Sequence, residues 1–117
     1  MNALAAGAFT LALGIAFGAF GAHALGEIGP ERKGWWQTAT LYHLIAAFGL
    51  MVLGLLQRQR ATASGPGWLL LAGVILFSGS LYVMTLGGPR GLGAVTPLGG
   101  LCLIGAFVWL GVLALGR

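Results

Sequence analysis

Charge is what this sequence most lacks. Of its 117 residues 7% are charged, and Asp and Glu together number two, against about 25% charged in an ordinary soluble domain. Hydrophobic residues make up 58%. That leaves too little polar side chain to cover a water-facing globule, so lipid must be the main solvent. The one cysteine, Cys102, lies in an apolar run, which excludes a disulfide framework or a thiolate zinc site within one chain. Six Lys and Arg residues give a formal charge of +4. They are scattered through the connections and the C-terminus without interleaved aromatics, so nucleic acid is excluded as a partner. The spans hold no paired carboxylates, no Gly-x-Ser-x-Gly and no metal triad. No catalytic residue, metal or cofactor is therefore assigned, and the chain is read as a non-enzyme.

What it does have is four runs of about 20 mostly apolar residues, the length a spanning helix needs. They cover 3–25, 35–56, 68–86 and 96–115. The second begins as early as Pro30, whose fixed φ suits a first helical position, with Trp35 and Trp36 at the interface. Thr96 and Pro97 read as N-cap and first helical residue of the fourth. The connections are short and turn-rich, which favours antiparallel neighbours. The expected fold is an all-α, up-down antiparallel four-helix bundle forming one transmembrane domain over 1–117. "AHA" at 22–24 resembles a signal-peptidase site. The run before it has no basic n-region and is too long for a usual h-region, so it is read as a retained first span.

Arg58, Arg60 and Arg117 fall on the side of the termini (side A), and Arg32, Lys33 and Arg90 on the opposite side (side B). The tie leaves orientation to a weaker cue: side B alone mixes acids with its bases, which puts the termini in the cytoplasm.

Helices in lipid associate through close packing, for which small residues are suited. Gly14, Gly18 and Ala22 form one stripe on the first helix, and Ala8, Ala12 and Ala16 a second. Gly49, Gly73, Gly79 and Gly105 are read as narrow points on the others. Two stripes fit two neighbours within the chain, or one neighbour and a homo-oligomer.

Polar side chains in the spans crowd towards side B. The candidate pocket there comprises His23, Thr38, Tyr42, His43, Ser78, Ser80, Tyr82 and Thr96, while the side-A half is nearly bare apart from Thr10. Helical side chains lean towards their own N-terminus. His23 therefore leans inward and His43, on the antiparallel helix, leans outward, so the two can meet. A neutral pair bonded to Thr, Tyr or backbone oxygens is the preferred reading. A proton-titrating pair is an alternative; a metal site lacks a ligand motif.

With "GAFGAHAL" at 18–25, "WQTA" at 36–39 with Tyr42, "FSGSLY" at 77–82 and "TPLGG" at 96–100 laid out in order, the chain resembles the domain-of-unknown-function 423 family. That family comprises small bacterial inner-membrane proteins and also includes eukaryotic transmembrane protein 256. The resemblance implies a four-span integral membrane protein and supplies no activity. Many relatives carry a histidine four residues after the tyrosine matching Tyr42, where this chain has Ala46.

The expected function is a non-enzymatic interaction or assembly role in the bacterial inner membrane. Partners are the lipid bilayer and a homo-oligomer or another membrane protein. The alternative is a transporter or channel for a small solute or proton, which the apolar side-A half disfavours.

Overall fold

The computed structural model describes residues 1–116, so Arg117, counted above with side A, lies outside it. Four helices are long and apolar enough to cross a membrane: α1 (Ala3–His23), α2 (Pro30–Gln59), α3 (Gly65–Thr85) and α4, whose helix proper is Thr96–Leu115. No strand occurs among the described residues.

The ends follow from local chemistry. The Asn2 side chain caps α1 by accepting from the Ala5 N–H at 3.0 Å, which satisfies one orphan donor of the first turn. Pro30 opens α2 after Gly29 at φ +87°, a backbone conformation that glycine adopts without a Cβ clash. At 30 residues, α2 is about 45 Å long, longer than the ~30 Å hydrocarbon core. Its first turn therefore stands at the polar boundary.

Thr96 is not the N-cap of α4 as the sequence suggested. A 3-10 turn over Arg90–Ala94 runs directly into the helix, Val95 holds the cap position, and Thr96 is already helical. The first-turn donors Leu98 N–H and Gly99 N–H reach the Val95 carbonyl, so no side-chain cap is required.

The helices form a row rather than a closed square. α1 packs along α2, α2 along α3, and α3 along α4. The most apolar stretches of the inner spans α2 and α3 are 50% and 44% buried, those of the outer α1 and α4 only 17% each. The main core joins Ala46, Leu50 and Leu53 of α2 to Leu70 of α3 and Leu103 and Ala106 of α4. A second core, nearer side B, joins Trp36 and Ala39 to Leu81 and Tyr82.

Glycine does set the closest approaches, but in a different register from the expected stripe. Gly7, Gly14, Gly18 and Gly21 face α2, opposite Met51, Leu44 with His43, Thr40 and Trp36 respectively. Ala22, expected on that face, is exposed, as are Ala8, Ala12 and Ala16. Seven-residue spacing from Gly7 through Gly14 to Gly21 tracks an antiparallel neighbour better than a four-residue spacing, which drifts around the helix. Gly49 and Gly73 are narrow points, meeting Phe107 with Leu70 and Leu103 respectively. Gly105 faces open space, and the nearest atom that a Cβ on Gly79 would meet is the Val74 carbonyl oxygen of its own helix.

The middle of α3 departs from α geometry. Val74–Gly79 winds as a π-helical stretch, a local widening that redirects the side chains following it. Ser78 faces α2, Ser80 faces α4, and Tyr82 returns to α2.

Candidate functional site

The polar contacts between α1 and α2 are built on the glycine spacing. A glycine removes the side chain that would shield the carbonyl one turn before it. α2 uses that opening twice. The Trp36 indole N–H donates to the Phe17 carbonyl at 2.7 Å, with Gly21 beneath the ring. His43 Nε2 lies 2.9 Å from the Thr10 carbonyl, with Gly14 against the imidazole. Thr10 to Phe17, Gly14 to Gly21 and Trp36 to His43 are each seven residues, so one arrangement recurs two turns apart. Trp36, read from the sequence as an interface residue, is 4% exposed.

His43 is the centre of the buried polar cluster. It is 2% exposed, and its Nδ1 is 3.0 Å from the Tyr82 hydroxyl. Tyr82 is in turn 3.3 Å from the Thr40 hydroxyl. A carbonyl only accepts, so Nε2 carries the proton facing Thr10, and in the neutral ring Nδ1 accepts from Tyr82. The Tyr82 hydroxyl, with one proton, thus faces two acceptors, His43 Nδ1 and the Thr40 hydroxyl. Phe17 closes the cluster edge-on, its ring 5.9 Å from His43 and 4.9 Å from Tyr82.

The eight candidates named from the sequence do not form one pocket. His43 and Tyr82 meet. Ser80 and Thr96 meet each other across α3 and α4. Ser78 donates separately to the Ala39 carbonyl at 2.7 Å. Tyr42 is 39% exposed and stacks edge-on against Phe77, while Thr38 is exposed.

His23 and His43 do not meet, although α1 and α2 are neighbours. His43 touches the carbonyl of Thr10, and His23 lies 13 residues further along α1, about 20 Å at 1.5 Å per residue. Opposing residues of the two helices have numbers summing to about 58, as in Gly7 with Met51 and Gly18 with Thr40. That register puts His23 beside the first turns of α2, and the lean of side chains is too small to close the difference. His23 is exposed at the last turn of α1.

Further contacts were also outside the sequence reading. The Arg32 guanidinium donates to the Thr85 carbonyl, and the Thr85 hydroxyl to the Arg32 carbonyl at 3.3 Å. Arg60 donates to the Leu113 carbonyl at 2.8 Å. The Thr10 carbonyl is a backbone group, for which the only signal was Gly14 four residues later. No buried side-chain N or O among the described residues lacks a partner. No group of three or more His, Cys, Asp or Glu that could hold a metal occurs among them.

Comparison with known proteins places this architecture in a family. Residues 17–100 match the family model described as protein of unknown function (DUF423). The UPF0382 membrane protein YwdK of Bacillus subtilis is 39% identical over 112 residues, covering 92% of this chain and 91% of that protein. A UPF0382 membrane protein of Staphylococcus epidermidis is 40% identical over 100 residues, covering 84% of this chain and 82% of the relative. One from Staphylococcus haemolyticus is 38% identical over 106 residues, with 89% and 87% covered. No solved structure matches the chain. The chain belongs to the DUF423 family of membrane proteins of unknown function. The stretches that carried the resemblance supply close contacts in this fold: Gly21 on Trp36, Ser78 on Ala39, Ser80 on Thr96, and Gly99 on the Phe77 backbone.

Proposed function

We propose that this DUF423 protein is a non-enzymatic interaction protein that binds laterally, inside the bilayer, to a second copy or to another membrane protein. One observation carries the reading: the outer spans α1 and α4 bury only 17% of their most apolar stretches. On α1 the uncovered face includes Ala8, Ala12 and Ala16, residues small enough to let another helix backbone come close. On α4 it includes Gly105, with open space around it.

The buried polar groups support the same reading, because they tie helices of this chain to one another. His43, Tyr82, Trp36 and Ser78 all bond across spans. A conducting path has less in its favour. The Thr40–Tyr82–His43 chain ends at the Thr10 carbonyl, and Ala46, Leu50 and Leu53 continue α2 towards side A without a polar group.

The membrane in this proposal is the bacterial inner membrane, with both termini cytoplasmic. Photo-crosslinking from position 12 or 16 in native membranes tests the interaction. A discrete adduct larger than the monomer is expected, and recovery of monomer alone at both positions refutes the reading. Thiol labelling of a single cysteine placed at Ala61 or at Gly91 in a Cys102→Ser background reports orientation; labelling of position 61 alone from the periplasm would reverse it.

A further inference from the structure

The side-B ends of α1 and α2 leave an open cleft of about 490 Å³ between them. Gly18 and Ala22 of α1 form one wall, and Lys33, Gln37, Leu41 and Leu44 of α2 the other. None of the eight sequence candidates lines it. The α1 wall is shallow because its residues there have little or no side chain, and Ala22 is itself exposed.

The charge around the cleft is unevenly committed. Of the three side-B cations, Arg32 is held by the Thr85 carbonyl. Arg90 pairs with Glu31 at 3.0 Å and lies over the Trp35 ring at 5.3 Å. Lys33 has no ion-pair partner among the described residues, and it stands on the cleft wall. An anion entering the cleft would meet an ammonium that nothing else neutralises, with the Gln37 amide one turn below it.

The cleft also has a length and a direction. Lys33 to Leu44 is eleven residues of helix, about 16 Å, which is close to half of the ~30 Å hydrocarbon core. Lys33 and Gln37 lie at the mouth, Thr40 is the one polar residue deeper in, and Leu41 and Leu44 line the deep end. A free anion would use the mouth alone; a lipid would use the whole depth of one leaflet.

We propose that this cleft is a binding site for one anionic phospholipid of the side-B leaflet. Its phosphate lies at Lys33 and Gln37, and an acyl chain lies along Leu41 and Leu44 against Gly18 and Ala22. The site is independent of the lateral-interaction role proposed above, since it lies between helices of one chain and uses neither the Ala8–Ala12–Ala16 face nor α4.

The test is lipid retention by the purified full chain in detergent, read by native mass spectrometry with phosphatidylglycerol or phosphatidylcholine added. A basic residue near a membrane surface contributes roughly a fivefold preference for an anionic lipid. Wild type is expected to retain phosphatidylglycerol about fivefold over phosphatidylcholine on that basis. Lys33→Gln should bring the ratio near one. Ala22→Leu, which fills the cleft from an exposed position, should lower retention of both lipids while leaving the helical circular dichroism intact. Excess inorganic phosphate should not displace the lipid. Equal retention of the two lipids by wild type, an unchanged ratio in Lys33→Gln, undiminished retention in Ala22→Leu, or displacement by phosphate each overturns the proposal.

Discussion

Replacing Gly7 with alanine should cost far more than replacing Gly105 with alanine, although both are glycine-to-alanine changes inside apolar helices. A Cβ built on Gly7 would lie 2.6 Å from Met51 Cγ, 2.7 Å from the Met51 nitrogen and 2.8 Å from the Ala47 carbonyl oxygen. Two of those three atoms belong to the α2 backbone and cannot rotate away, so the helices must separate. A Cβ on Gly105 meets nothing within 4 Å. Both changes gain helix propensity, up to about 1 kcal/mol, and that gain cancels when the two variants are compared. The difference isolates the steric term, which for an overfilled contact is about 1–3 kcal/mol. Gly18→Ala should fall between them, because its Cβ would sit 3.3 Å from the terminal Cγ2 of Thr40, which has some room to give. Equilibrium unfolding in mixed micelles measures all three. A Gly7–Gly105 difference under about 0.5 kcal/mol, below the overpacking range, would refute the close approach of α1 to α2 at this point.

Two further predictions concern the polar contacts. A double-mutant cycle of His43→Leu and Tyr82→Phe should give a coupling of about 0.6 kcal/mol, the average for interhelical hydrogen bonds in membranes, and at most about 1.7 kcal/mol; additive single-mutant losses would mean that the 3.0 Å contact contributes nothing. Glu31→Gln should shift unfolding by less than about 1 kcal/mol, because its bond to Arg90 joins two exposed side chains. A larger loss in the same assay would show that this pair holds the third connection against α2.

The spans were legible because their signal is local. A run of 20 apolar residues must cross or be buried whatever surrounds it, and the four helices found stand on the four runs read. Their ends were less so. The first helix stops at His23 rather than Leu25, and Thr96 is inside the fourth helix because a 3-10 turn precedes it. The side-B bias of polar groups also came from local positions along each helix. Which of those groups touch did not, since that depends on rotation and register between helices. His23 and His43 show this: their depths looked compatible, yet the glycine-set register of α1 on α2 keeps them about 20 Å apart along the axis.

Composition and periodicity therefore settled the solvent, the number of spans, their antiparallel order and the reliance on small residues, because each follows from the solvation of single segments. The tertiary structure settled that the helices form a row with two open outer spans. It settled that Trp36 and His43 reach α1 carbonyls through Gly21 and Gly14, and that Lys33 faces an open cleft. Those features rest on contacts between residues 19, 33 and 39 positions apart. In lipid, no hydrophobic drive selects one helix face over another, so such pairings are chosen by shape and by the few available hydrogen bonds, which no single segment contains.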